Sequence, residues 1–173
     1  MTTSSTASSA AAEERARARL EAHAAVHRWI EDALYGVLEA LVARDIDGEI
    51  DGASTRFTRM RAVLEEHMRF EDEHVIPRYA PLAPKDGPGR LDHIAGDHTI
   101  LIRNCDIAAG AMVALSSSSS LRDVLEQLPH LYRLIAALEH HTLREQNNVY
   151  GKIDAGDDVT NALKALVDRA SRP

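Results

Sequence analysis

The sequence predicts an all-α protein: an antiparallel, up-and-down four-helix bundle followed by a short C-terminal helix. Four long segments place apolar residues at alternating steps of three and four, the period of one helix face. The connections between them are short and rich in Gly, Pro or Ser, which favours neighbouring helices running in opposite directions. No stretch shows strand-like alternation. Aromatic content is only 4% while Ala, Leu, Arg and Glu abound, a composition of helices rather than sheets. At 173 residues the chain suits one domain with a real core.

The elements follow in order. Residues 1–12 hold only Ser, Thr and Ala besides Met1. With nothing to bury, residues 1–13 are expected to be a disordered tail, and 14–173 a single domain with its bundle core at about 20–150. A first helix is expected from about Glu14 to Ala43, with Leu20, His23, His27, Ile30, Leu34, Leu38 and Leu41 on one side. Asp45 to Gly52 reads as a loop, and Ser54 as the N-cap of a second helix. That helix lines up Phe57, Met60, Leu64, His67, Glu71 and Val75 before Pro77 and Pro81 close it. Three Pro and two Gly between Pro81 and Gly89 make a stiff connection. A third helix, Leu91 to about Leu115, carries Ile94, His98, Leu101, Cys105, Ala108 and Met112 inward. Ser120, the last of five serines, and Asp123 form a capping-box-like start for the fourth helix. It presents Val124, Leu128, Leu131, Leu134, Leu138, His141, Glu145 and Val149, with Pro129 expected to kink or restart it and Gly151 to end it. A short helix at about 158–169, with Val159, Leu163, Leu166 and Val167, is expected to pack on the outside.

The chemistry lies in a repeat. Leu64, His67, Glu71 and Val75 recur as Leu138, His141, Glu145 and Val149 at a constant offset of 74. His27 precedes His67, and His98 precedes His141, so each half holds a lone His and a His-x-x-x-Glu pair. The pairs share the apolar stripe, and imidazoles and carboxylates aimed into a core are costly unless something binds them. A lone His on such a stripe is more often a satisfied core residue. Four His and two Glu in duplicated register reverse that weighting. His27, His67, Glu71, His98, His141 and Glu145 are therefore the expected metal ligands, with His23, one turn before His27, as a further candidate. The set fits two ions with two His each and both Glu bridging, with open positions for water, oxo, dioxygen or nitric oxide. Imidazole and carboxylate without thiolate favour two iron ions, joined by carboxylate and oxo or hydroxo bridges, over manganese or zinc.

His67-Met-Arg-Phe-Glu71-Asp-Glu-His-Val-Ile-Pro77 resembles the H-x-x-x-E-E-x-x-φ-φ-P signature of hemerythrin-like (HHE cation-binding) domains, and His141-Thr-Leu-Arg-Glu145 its second copy. The segments around His23–His27 and Gly96–Arg103 resemble the family's first-helix and third-helix His segments, so the likeness covers about residues 20–150. The resemblance implies a non-haem di-iron protein that binds or reacts with dioxygen, nitric oxide or hydrogen peroxide. The pattern departs from the oxygen carriers, which use five His with an H-x-x-x-H pair on the third helix. Here His93 and His98 are five apart and diverge by about 140° around a helix. The carriers' last carboxylate follows its His by five, whereas Glu145 follows His141 by four and His140 by five; the duplicated register selects His141. The chain thus resembles the four-His, two-Glu branch, which includes iron-repair proteins of nitrosative stress, iron-sensing domains and peroxide-active proteins. Peroxide degradation or iron repair would make it an enzyme. The alternatives are a reversible oxygen or nitric oxide sensor and a ferritin-like iron oxidation or storage protein, the latter on the Glu71-x-x-His74 pair.

The remaining features point away from other classes. A formal charge of −7 with no basic patch disfavours nucleic acid and anionic membrane surfaces. No run approaches a membrane span, and the first twenty residues lack the apolar core of a secretory signal. A single Cys105 makes an internal disulfide impossible and reads as packing. A cytoplasmic location is the expectation. His74, His93, His130 and His140 read as surface or supporting groups, Asp72 and Gln146 as groups that orient ligands, and the four Tyr cannot be placed relative to the site.

Overall fold

A computed structural model describes residues 3–43, 49–116, 118–153 and 156–172. Among the described residues the chain is helical, with no strand. α1 (Thr3–Ala43) is the longest helix; its 41 residues span about 60 Å at the usual rise. The Ser/Thr/Ala-rich start assigned by composition to a tail forms the first turns of α1, where Ala favours the helix. The side chains from Ser9 to Arg15 are exposed, and burial sets in at Arg19, Ala22 and His23.

α2 (Glu49–Phe70) begins before the expected N-cap. Ser54 lies inside it, its carbonyl accepting the Thr58 hydroxyl at 2.9 Å. Of the expected loop at 45–52, residues 49–52 are helical, and 45–48 lie outside the described residues. Ala53, Phe57, Met60 and Leu64 are all buried, so the apolar stripe holds this turn in the helix. The chain then passes through one turn of π-helix (Glu71–Val75), the short α3 (Ile76–Tyr79) and a 3₁₀ turn (Ala80–Leu82). Pro77 lacks an N–H and its ring would crowd the carbonyl four residues back; widening the preceding turn relieves both problems.

The connection to α4 (Leu91–Val113) is pinned by a close approach. Gly87 takes a left-handed φ of 88°. The buried Tyr79 hydroxyl donates to the Gly89 carbonyl at 2.5 Å. A Cβ on Gly89 would meet Asn148 Oδ1 at 2.8 Å and the Tyr79 hydroxyl at 2.9 Å. Asn148 is itself held by its amide donating to the Arg144 carbonyl at 2.8 Å. Gly89→Ala is therefore expected to destabilise by about 1–3 kcal/mol, the usual cost of overpacking. An unchanged denaturant midpoint would show that this corner can yield.

α5 (Leu121–Asn148) starts with the expected capping box: Ser120 N–H donates to Asp123 Oδ2 at 2.6 Å, and Asp123 N–H to Ser120 Oγ at 3.2 Å. Pro129 lies within an unbroken helix rather than restarting it. α6 (Asp157–Ala170) buries Val159, Leu163 and Leu166.

α1 packs against α2, α5 and α6, and α4 packs against α2 and α5. Between them lie Ile30, Leu34, Phe57, Met60, Leu64, Leu101, Cys105, Leu131, Leu134 and Leu138. Cys105 is free and buried, and burial pushes its thiol up to about 12, so it is a packing residue. No described helix is long and apolar enough to cross a membrane.

Candidate metal centre

One end of this core is polar. His23 and His27 from α1, His67 from α2, Glu71 from the π turn, His98 from α4, and His141 and Glu145 from α5 are all buried. Side chains four apart on a helix share a face, which places His23 with His27, His67 with Glu71 and His141 with Glu145. Glu71 opens the turn of π-helix, its carbonyl accepting from Ile76 N–H five residues on. At the end of α5 the Glu145 carbonyl accepts from Val149 N–H at 2.8 Å and from Tyr150 N–H at 3.2 Å. π turns tend to occur at functional sites.

The donor atoms fall into two groups that share both carboxylates. His23, His27, His67, Glu71 and Glu145 form one; Glu71, His98, His141 and Glu145 form the other, with ligand atoms within 4.8 Å of one another in each. Glu71 straddles them. Its Oε1 is 3.3 Å from His67 Nε2 and 3.7 Å from His23 Nε2. Its Oε2 is 3.4 Å from His98 Nε2 and 3.9 Å from His141 Nε2. Glu145 Oε2 lies 3.0 Å from His23 Nε2, 3.8 Å from His27 Nε2 and 3.1 Å from His141 Nε2, and its Oε1 is 3.8 Å from His98 Nε2. His27 and His67 face each other, Nε2 to Nε2, at 2.8 Å. Two donors about 2.1 Å from one ion and at right angles to each other stand about 3 Å apart. The shorter separations here have that spacing.

Unpartnered atoms supply the fit test. Glu71 Oε2, Glu145 Oε1, His98 Nε2 and His141 Nε2 are buried without a hydrogen-bond partner among the described residues. Buried polar atoms are ordinarily satisfied, and four orphans converging on one point are what a cation would satisfy. The donor set, five imidazoles and two carboxylates, could therefore hold metal.

Supporting groups fix which nitrogen is free. The Thr142 hydroxyl donates to the Leu138 carbonyl at 2.8 Å, so its oxygen accepts from His27 Nδ1–H at 2.6 Å. His98 Nδ1–H donates to Asp72 Oδ1 at 2.9 Å. Both bonds leave Nε2 facing the centre. Arg144 ties α5 to α4 beside His98, its Nη1 donating at 2.7 Å to both Asp97 oxygens and at 3.1 Å to the His93 carbonyl. Its Nη2 donates to His140 Nε2 at 2.6 Å.

Burial pushes His23 and His67 down to about 4, His141 to about 3, and His27 well below its ordinary value, which leaves neutral imidazoles, the metal-binding form. Burial also opposes charge on His98, but the Glu145 and Glu71 carboxylates facing it outweigh that and hold the group up at about 11. With protons as the only cations, His98 carries the positive charge facing the carboxylates; a metal ion would displace that proton.

All six ligands expected from the repeat and its flanking His meet here. His23, the further candidate in the sequence, also lies within the first group, so the cluster contains five His. Its i, i+4 spacing to His27 gives it the same face. His74 is exposed, with 53% of its side-chain area accessible, which takes the ferritin-like Glu-x-x-His pair out of the cluster. His93 and His140 are exposed. Asp72 is hydrogen-bonded to His98, whereas no comparable bond joins Gln146 to the cluster among the described residues. Two participants escaped sequence reasoning. Thr142 was overlooked beside His141, and Tyr150, whose hydroxyl donates to Glu71 Oε1 at 2.6 Å, follows Glu145 by five. Tyr150 lies just past the end of α5, in the turn that follows Asn148.

Compared with protein-family models, curated proteins and solved structures, the chain has no match. Its functional reading therefore rests on its own residues and their geometry.

Proposed function

We propose that the chain is a hemerythrin-like protein: an antiparallel, up-and-down four-helix bundle whose centre holds two iron ions and binds or reacts with dioxygen, nitric oxide or hydrogen peroxide. One observation carries this reading, the buried cluster in which two groups of imidazoles share both carboxylates. The topology is supported by where the ligands lie along the helices. They come from the middle of α1, the end of α2 and the π turn after it, the first part of α4 and the end of α5. A site shared by the end of α2, the first part of α4 and the end of α5 is compatible with neighbours that alternate in direction.

Imidazole and carboxylate donors without thiolate suit iron better than a closed structural zinc site. When bound, a carboxylate-bridged iron pair supplies redox change between +2 and +3 and open positions for a small ligand. The residues distribute those positions unequally. The first group offers three imidazoles and the second two, so the His98–His141 side is where an external ligand has room. His98 and Asp72 also connect that side toward solvent, because Asp72 is exposed and hydrogen-bonded to His98. The other ligands lie deep in the fold and exclude bulk water.

Purified protein loaded anaerobically with ferrous ion is expected to hold two ions per chain and to change its visible spectrum on adding dioxygen, nitric oxide or peroxide. Reversal on removing the gas assigns a binding or sensing protein; consumption of peroxide or transfer of iron assigns an enzyme. Zinc retention without any ferrous uptake or spectral response would refute the iron reading.

A further inference from the structure

We propose that Tyr150 is a positioning residue that makes Glu71 the fixed carboxylate of the centre and leaves Glu145 the one free to change its binding mode. The inference rests on the dinuclear reading above and concerns how its two shared carboxylates differ.

The repeat makes the glutamates equivalent in sequence, and the structure makes them unequal. Tyr150 is fully buried. Its hydroxyl donates to Glu71 Oε1 at 2.6 Å, within the short range of charge-assisted O–H···O bonds. Its ring lies 4.0 Å from that of His23, centre to centre and 31° from parallel. The hydroxyl is thus aimed by packing as well as by the bond. It also reaches across the pseudo-repeat: Tyr150 follows the Glu of its own half and bonds to the Glu of the other.

At the offset of 74, the residue equivalent to Tyr150 is Ile76, which has no side-chain donor. Glu145 accordingly receives no hydroxyl. Its Oε2 meets only imidazole nitrogens, and its Oε1 has no hydrogen-bond partner among the described residues. The terminal torsion of a Glu side chain is soft. Glu145 Oε2 is nearly equidistant from His23 (3.0 Å) and His141 (3.1 Å), which belong to different groups. Rotation about that torsion redistributes its oxygens between the groups, whereas the same rotation of Glu71 breaks the Tyr150 bond. When the number of ligands at the centre changes, Glu145 is the carboxylate that adjusts.

Cobalt(II) titration tests this, because its visible bands report coordination geometry independently of any activity. Tyr150→Phe keeps the ring and its packing on His23 and removes only the hydroxyl. The variant is expected to bind two cobalt ions with altered bands and an affinity about 10-fold weaker, the scale of lost ligand-orienting bonds. In a Glu71→Gln background the Tyr150→Phe effect should shrink, and in a Glu145→Gln background it should persist. Unchanged bands and affinity in Tyr150→Phe, or an effect undiminished beside Glu71→Gln, overturn the proposal. Should Tyr150→Phe fail to fold, the tyrosine ultraviolet band of the wild-type protein decides. Cobalt loading must perturb it, because Tyr150 touches the carboxylate, and an unperturbed band overturns the role. Wild-type protein that takes up no cobalt, zinc or iron refutes the metal centre itself, a distinct failure.

Discussion

Glu71→Ala is expected to abolish binding of two ions per chain, while His140→Ala retains it. Glu71 belongs to both donor groups, one oxygen toward His67 and His23 and the other toward His98 and His141. Its loss removes a donor and half of the carboxylate charge from each group at once. It also strands the buried Tyr150 hydroxyl that donated to it. Because loss of an orienting partner alone costs 10- to 100-fold in affinity, loss of a shared ligand should exceed about 100-fold. His140 is only one residue from His141, but it points outward and meets Arg144. The check is metal per chain after equilibrium dialysis. Equal retention in the two variants, or equal loss, would contradict the ligand assignment.

Chelation of the metal should lower the thermal midpoint by roughly 8–16 °C. A ligand present at about 1,000 times its dissociation constant adds about 4 kcal/mol to the folded state. In a chain of this size, each kcal/mol is worth about 2–4 °C. The physical source is visible in the cluster. Without a cation, its orphaned carboxylate oxygens and imidazole nitrogens sit in a dry interior, an arrangement that opposes folding. The midpoint should therefore rise with free metal concentration and fall on adding chelator. A midpoint indifferent to both would mean that the cluster is a hydrogen-bonded polar core. Calorimetric scans at several metal concentrations separate these outcomes.

The helices were legible because amphipathic periodicity is a local property of the chain. Phe57, Met60 and Leu64 declare their helix, and Ser120 with Asp123 declares the start of another, since capping needs only residues three apart. The start of α2 was less legible: Ser54 has the chemistry of a cap, but buried Ala53 and Phe57 keep it within the helix. Pro129 likewise reads as a break, yet α5 runs through it with Leu128, Leu131, Leu134 and Ile135 buried. At the site, His67, Glu71, His141 and Glu145 could be found because duplication placed the same chemistry twice on an apolar stripe. His23 could be found only as a candidate, because i, i+4 spacing to His27 says that two residues share a face and not how deep that face is buried.

By itself the sequence determined the helical class, the four segments that carry the clustered His and Glu, and six of the seven residues that meet there. These follow from spacing along single helices, where neighbours are set by 3.6 residues per turn. Only the tertiary structure decided that His23 joins the cluster, that each carboxylate faces both groups, and that Tyr150 holds one glutamate and not the other. Those outcomes depend on distances between helices, on the π turn at Glu71–Val75 and on the turn that ends α5 before Tyr150. Such contacts bring together residues as far apart as Glu71 and Tyr150, and no local pattern in the chain encodes them.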